Sequence, residues 1–204
     1  MLPLAAPRPE RADAVRNRRL LLATARRMLA EECGADALTM DALAERAGLG
    51  KGTVFRRFGT RAGIFQALLD DDEQAFQEQV LFGPPPLGPG APPLERLIAY
   101  GRSRITFIFN DREIARAALD GSQPIPAGSE TPLSRAHIRM LLGLMRLDVA
   151  DLDMLAIQLT AALDGPLLLY LSAAEPAGTV SRMSLAWQEL AQRVCGACPC
   201  PDQP

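Results

Sequence analysis

The chain is poor in two basic residues. Of its 22 lysines and arginines only Lys51 is a lysine, leaving 21 arginines, and His137 is the single histidine among 204 residues. Genome composition is the simpler explanation of an arginine bias of this kind. One histidine excludes His-based metal triads and paired-histidine catalysis. Four cysteines are too few for a disulfide scaffold, so a reducing cytoplasm is the expected compartment. Every long apolar stretch meets a charge well before 18 residues, which excludes a membrane-spanning helix. Arginines and acids from Arg8 onward also leave no apolar core for a signal peptide. Aromatic residues make up 5%, and only Phe55, Phe58 and Phe65 precede Phe76. No alternating apolar–polar run exceeds four residues, so strands are not expected.

The formal charge of −2 speaks against a nucleic-acid partner until it is divided along the chain. Residues 1–69 hold twelve basic and seven acidic side chains, a net of +5; residues 70–204 hold ten and seventeen, a net of −7. A basic head on an acidic body points to an anionic partner for the head alone. The change falls at Asp70-Asp71-Asp72-Glu73.

Helical periodicity runs through the whole chain. Residues 1–12, with three prolines, read as a basic arm, followed by a helix over 15–33 that Gly34 closes. Thr39 is placed to cap a second helix, with Asp41 in its first turn. A short helix follows near Lys51–Arg57, and Thr60 caps another to about Val80. The segment 83–93, GPPPLGPGAPP, must be loop. Beyond it, Asn110 and Glu113 are spaced as a capping box, Thr131 and Pro132 start a helix to Met145, and two longer helices are expected near 149–173 and 179–195. The first of these two is broken near Gly165-Pro166. The fold class is all-α, with about nine helices.

Within the head, Ala44 to Val54 carries the grammar of a helix-turn-helix. Ala44 is small where two helices cross, and Gly48 permits a positive φ in the turn. Leu43, Ala47, Leu49, Val54 and Phe58 suit a small core, leaving Lys51, Thr53, Arg56 and Arg57 outward on the second helix, where polar side chains would enter a major groove. A phosphate-binding loop at Gly48–Thr53 is excluded, because Gly52 follows Lys51 and Glu45 occupies the first glycine position.

Residues 16–69 resemble the DNA-binding domain of the tetracycline-repressor (TetR) family of bacterial regulators. The resemblance rests on Leu21-Leu22, Ala25, Gly34, Thr39, Leu43-Ala44, Ala47-Gly48-Leu49, Lys51-Gly52-Thr53-Val54-Phe55, Phe58, Thr60-Arg61 and Ile64-Phe65. It implies a three-helix N-terminal domain over 14–69, a helical effector-binding and dimerisation domain over 70–195, and flexible tails at 1–13 and 196–204. It further implies that Thr39 touches a phosphate, that Gly52 lets the recognition helix lie close to DNA, and that Arg61 takes the place of a phosphate-binding lysine. Phe55 replaces a usual tyrosine and so loses a hydroxyl, while Arg57 supplies charge where a histidine or tyrosine is common. Gly63 should weaken the first turn of its helix by about 1 kcal/mol.

The function so implied is a homodimeric, ligand-responsive regulator, most simply a repressor, that binds double-stranded DNA at a palindromic operator. It is not an enzyme and needs no cofactor or membrane. Tyr100, Arg104, Phe107, His137, Met140 and Gln158 are candidate effector-pocket residues, each of which also reads as ordinary core. Leu152, Leu155, Leu159, Leu163 and Trp187 suit either a dimer interface or an interior. The rival constellation is Cys195, Cys198 and Cys200, whose CxxCxC spacing suits a soft metal or a reversible disulfide. It would make the chain a thiol-based metal or redox sensor, with Cys33 too distant in sequence to complete the site by inspection. A helical enzyme acting on a small ligand without DNA is a further alternative.

Overall fold

The computed structural model describes residues 9–31, 35–118, 132–163 and 178–196. Among the described residues are nine α-helices and no strand. They are α1 (Pro9–Glu31), α2 (Met40–Ala47), α3 (Lys51–Phe58), α4 (Arg61–Phe82), α5 (Pro93–Asn110), α6 (Arg112–Ala118), α7 (Pro132–Leu144), α8 (Leu152–Ala161) and α9 (Thr179–Gly196), with a 3-10 turn at Ala35–Ala37. No helix among these residues is long and apolar enough to cross a membrane. The chain divides into two compact units, Met1–Asp72 with Glu113–Pro124, and Glu73–Arg112 with Ile125–Pro204.

The first unit is built on the stripe that α1 presents every three or four residues. Leu21, Leu22, Ala25 and Met28 are buried against Leu38, Leu43 and Ala44, Val54 of α3, and Ile64, Phe65 and Leu68 of α4. Ile114, Ala117 and Ala118 of α6 pack on the same core, so a segment more than forty residues downstream of α4's Leu68 completes it. Arginines of α1 hold the acidic run: Arg26 pairs with Asp72 at 2.7 Å and Asp71 at 3.0 Å, and Arg18 lies 3.6 Å from Asp71. Counted to Asp72, the net charge of the N-terminal segment is therefore +2, and the positive field is confined to the arginines these acids leave unpaired.

The second unit closes around α5. Leu97, Tyr100 and Ile105 are buried with Phe76 and Val80 of α4, Ile138, Leu141 and Leu142 of α7, Ala156 and Leu159 of α8, and Trp187 and Ala191 of α9. Trp187 lies in this interior, 4% exposed, and its indole N–H donates to the Leu97 carbonyl at 3.1 Å. Gly101 makes the contact possible, because a Cβ there would fall inside the indole ring. Leu159 and Leu163 are likewise interior.

Several sequence expectations need correction. The first helix begins at Pro9 rather than near residue 15, since proline is tolerated in a first turn where its missing N–H has no partner. Asn110 is the last residue of α5 instead of the cap of α6. Gly63 is a fit and not a weakness: its N–H bonds the Thr60 hydroxyl at 3.1 Å, and a Cβ would strike the Phe58 carbonyl. The helix expected over 149–173 starts at Leu152, where the Asp151 carboxylate accepts from the Met154 amide at 2.9 Å. Gly34, Thr131 and Gly165-Pro166 lie outside the described residues.

Substituting Gly101→Ala forces a methyl group against the rigid Trp187 indole. The expected cost is about 1–3 kcal/mol, read as a lowered thermal midpoint by circular dichroism. A midpoint equal to the unaltered chain's would mean that α5 and α9 have room to spare.

Candidate nucleic-acid interface and the buried polar cluster

The helix-turn-helix is assembled by backbone chemistry that can be traced residue by residue. The Thr39 hydroxyl accepts from the Ala42 amide at 3.1 Å and so caps α2, while its own hydrogen stays available to an outside acceptor. At the other end Gly48 takes φ 65°, ψ 29°. Its N–H bonds the Glu45 carbonyl at 3.1 Å, and the Leu49 N–H bonds the Ala44 carbonyl at 3.0 Å. These two bonds are a Schellman closure, which ends α2 and turns the chain into α3. Gly50 begins α3 without a side-chain cap.

α3 buries only Val54 fully, with Phe58 half-buried. Lys51, Gly52, Phe55 and Arg56 occupy one continuous exposed arc, and Phe55 is 50% exposed, unusual for a phenylalanine. A Cβ on Gly52 would meet nothing within 4 Å. Lys51 reaches back to Asp41 of α2 at 2.9 Å, both side chains remaining well solvated. Thr53 is half-buried at the edge of the arc. Arg57 lies on the flank and donates to the Ala14 carbonyl of α1 at 2.7 Å.

Arg61 is braced inside the first unit. Its Nε donates to the Leu38 carbonyl at 2.8 Å and Nη2 to the Ala35 carbonyl at 2.5 Å; Asp36 lies 3.5 Å away, and the guanidinium stacks over Phe65 at 5.1 Å. These bonds tie the start of α4 to the turn that feeds α2. Nothing in the sequence signalled this, because the acceptors are backbone carbonyls.

In the second unit, four of the six effector candidates meet around α5. Tyr100, 1% exposed, donates to the Ser134 hydroxyl at 2.5 Å, and its ring lies 5.0 Å from that of His137. The Phe76 ring lies tilted against those of Tyr100 and Phe107, with centroids 5.7 and 5.4 Å away. Arg104 is buried, paired with Glu73, and lies over the Phe76 and Phe107 rings at 5.6 and 5.0 Å. Burial raises the Tyr100 phenol above its usual range. Burial first, and the Arg96 charge second, lower His137 to about 4. Glu73, Phe76, Arg96 and Ser134 complete the cluster and were missed by sequence reasoning. Met140 and Gln158 do not join it: Met140 is 43% exposed and Gln158 also faces solvent. Their helix faces are set by which residues of α7 and α8 reach the core, which periodicity alone left ambiguous.

Cys195 is half-buried near the end of α9, where burial raises its thiol pKa and so disfavours the thiolate a metal requires. Cys33, Cys198 and Cys200 lie outside the described residues, and among those described no group of metal-ligating side chains is assembled.

Residues 21–68 match the sequence profile of bacterial regulatory proteins, tetR family. Among curated proteins none matches the chain. Solved structures share the fold. A TetR transcriptional regulator from Streptomyces coelicolor is 25% identical, with 89% of this chain and 99% of that one covered at a TM-score of 0.50. A TetR-like regulator from Rhodococcus sp. RHA1 is 19% identical, covering 97% and 100% at 0.52. A structure described as the molecular basis for control of antibiotic production by bacterial hormones is 19% identical, covering 88% and 97% at 0.57.

Removing the brace by Arg61→Ala leaves two backbone carbonyls without their charged donor. The first unit should lose about 1–3 kcal/mol in chemical denaturation. Unchanged stability would mean that these bonds are replaceable by water. For His137, the unfolded imidazole titrates near 6.5 and the folded one near 4. The stability this depressed pKa confers is present above pH 6.5 and is lost as pH falls toward 4, amounting to at most about 3 kcal/mol. The thermal midpoint should therefore fall more steeply between pH 6.5 and 4 in the unaltered chain than in His137→Gln. Parallel curves would show that the imidazole is freely protonated in the folded chain.

Proposed function

Because the chain carries the tetR-family domain of bacterial regulatory proteins at residues 21–68, and is by that a TetR-family regulator, we propose that it is a homodimeric transcriptional repressor. It binds an inverted-repeat operator and leaves it when a small molecule enters the second unit. The observation that carries the reading is the exposed arc of α3, presented by a capped and closed α2 with its core side buried.

Arg56 and Lys51 are the residues that read base edges, with Lys51 released from Asp41 as it meets DNA. Phe55 has no hydroxyl for a phosphate and instead offers its ring to a thymine methyl or a sugar. Thr39 donates its free hydroxyl hydrogen to phosphate, Gly52 admits the backbone close to the groove, and Thr53 and Arg57 contact the strands at the edges of the arc. Arg61 contributes by holding the start of α2, with Nη1 left for phosphate.

A two-fold dimer supplies the second reading head. Exposed apolar side chains on α8 and α9 support one: Met154 and Ile157 are 50% and 37% exposed, and Leu185 and Leu190 are 57% and 39% exposed. The resemblance implies a dimer contact on these last helices. For effector response, the chain passes between the two units inside α4 and again from α5 to α6. α6 packs in the core of the first unit, so a ligand with different affinity for two positions of α5 has a covalent route to the reading head. The compartment in keeping with this work is the cytoplasm. A thiol-based sensor has no described geometry in its favour.

Selection of bound duplexes from a random DNA pool tests the reading. An inverted repeat should be recovered, and on it Arg56→Ala should cut affinity by about tenfold or more while relaxing the preference at one base position per half-site. Recovery of no common sequence would contradict the proposal.

A further inference from the structure

Three residues spaced by four along α5, Arg96, Tyr100 and Arg104, face a single side of the second unit. Two of them are guanidinium groups, and their surroundings differ. Arg104 has a carboxylate, Glu73, and two aromatic rings. Arg96 has no ion pair among the described residues, and its Nε is buried without a hydrogen-bond partner. Tyr100, one turn along α5 from Arg96, has its ring 5.0 Å from that of His137 of α7, which is 4% exposed and whose Nε2 is likewise buried and unpartnered. Burial first, and the Arg96 charge second, disfavour protonation of this imidazole. A cation and a neutral imidazole, each with a buried unmet bonding position, are costly neighbours, since buried polar groups are nearly always paired.

We propose that Arg96 and His137 form the binding site for the carboxylate of a small organic acid whose apolar body lies along the neighbouring aromatic layer. The carboxylate is the acceptor that the Arg96 Nε–H lacks, and it supplies to Arg96 the counter-charge that Glu73 supplies to Arg104. His137 donates from Nε2 as the neutral tautomer. Tyr100 stacks on His137 and is itself anchored by Ser134, so the imidazole is held in place before the acid arrives. The apolar body has Phe76 and Tyr100 to pack on. The inference rests on reading the second unit as the effector-binding part and names the class of effector it takes.

His137 is the only histidine, so its ring proton signals report on this site alone in the full-length chain. The probes are benzoate and octanoate, each compared with its amide. Both acids should give saturable shifts of the His137 resonances, with the amides at least about tenfold weaker, as befits a lost charge-assisted bond. Arg96→Gln should weaken the acids about tenfold without changing the amides, and Arg96→Lys should restore part of the loss. Equal binding of acid and amide overturns the proposal, as does indifference to Arg96→Gln. So does the absence of a saturable shift with either acid up to about 10 mM. Should Arg96→Gln fail to fold, the acid–amide comparison on the unaltered chain decides alone. Operator binding is measured on the same protein. Acid binding without DNA binding overturns the regulatory reading only, and DNA binding without acid binding overturns only this one.

Discussion

Burial of Val54 is the interaction on which the exposed arc of α3 depends. A helix of eight residues is too short to hold itself in water, because the cost of nucleation is recovered over too few hydrogen bonds. α3 exists because Val54 is withdrawn from solvent into a core made by α1, α2 and α4, with Phe58 covering its end. Once Val54 is fixed, helical geometry leaves no freedom to its neighbours. Lys51, Gly52, Phe55 and Arg56 must share the opposite arc, and the Schellman closure at Gly48 sets the angle at which they are offered.

The charges are arranged with similar economy. The acidic run that marks a change of composition in the sequence is part of the architecture, because Asp71 and Asp72 hold α1 through Arg18 and Arg26 while Glu73 holds Arg104. Arginines paired in this way contribute little field to an approaching polyanion. Among the described residues Arg56 forms no such pair, and Lys51 and Arg57 each have one solvated bond of the kind an approaching polyanion replaces. The overall charge of the chain is thus a poor guide to its surface, and the distribution of paired and unpaired cations a better one.

What could be read from the sequence was local. The Thr39 and Thr60 caps, the turn at Gly48, the proline-rich break after Gly83 and the apolar stripe of α1 each depend on residues within one helical turn, and each has its geometry in the structure. Contacts made at long separation were not legible. Trp187 looked as suited to an interface as to an interior until Gly101 was seen to admit its indole. Gly63 looked like a weak helix start because the Phe58 carbonyl it accommodates lies in another helix. Arg61 carried the expectation of phosphate, while its bonds to Ala35 and Leu38 are to backbone and have no sequence signature. Arg96 went unnoticed for the opposite reason, since what marks it is a buried Nε with no hydrogen-bond partner among the described residues, visible only once its surroundings are known.

In the proposed dimer, two heads reading one duplex must be separated by a whole number of helical turns, and this gives the most direct test. The affinity of the full-length chain is to be compared on its selected inverted repeat and on the same repeat with about half a helical turn inserted between the half-sites. The account predicts a loss of about a hundredfold or more, toward the level of non-specific binding. Equal affinity for the two duplexes would contradict it, because a single head indifferent to its neighbour would then suffice.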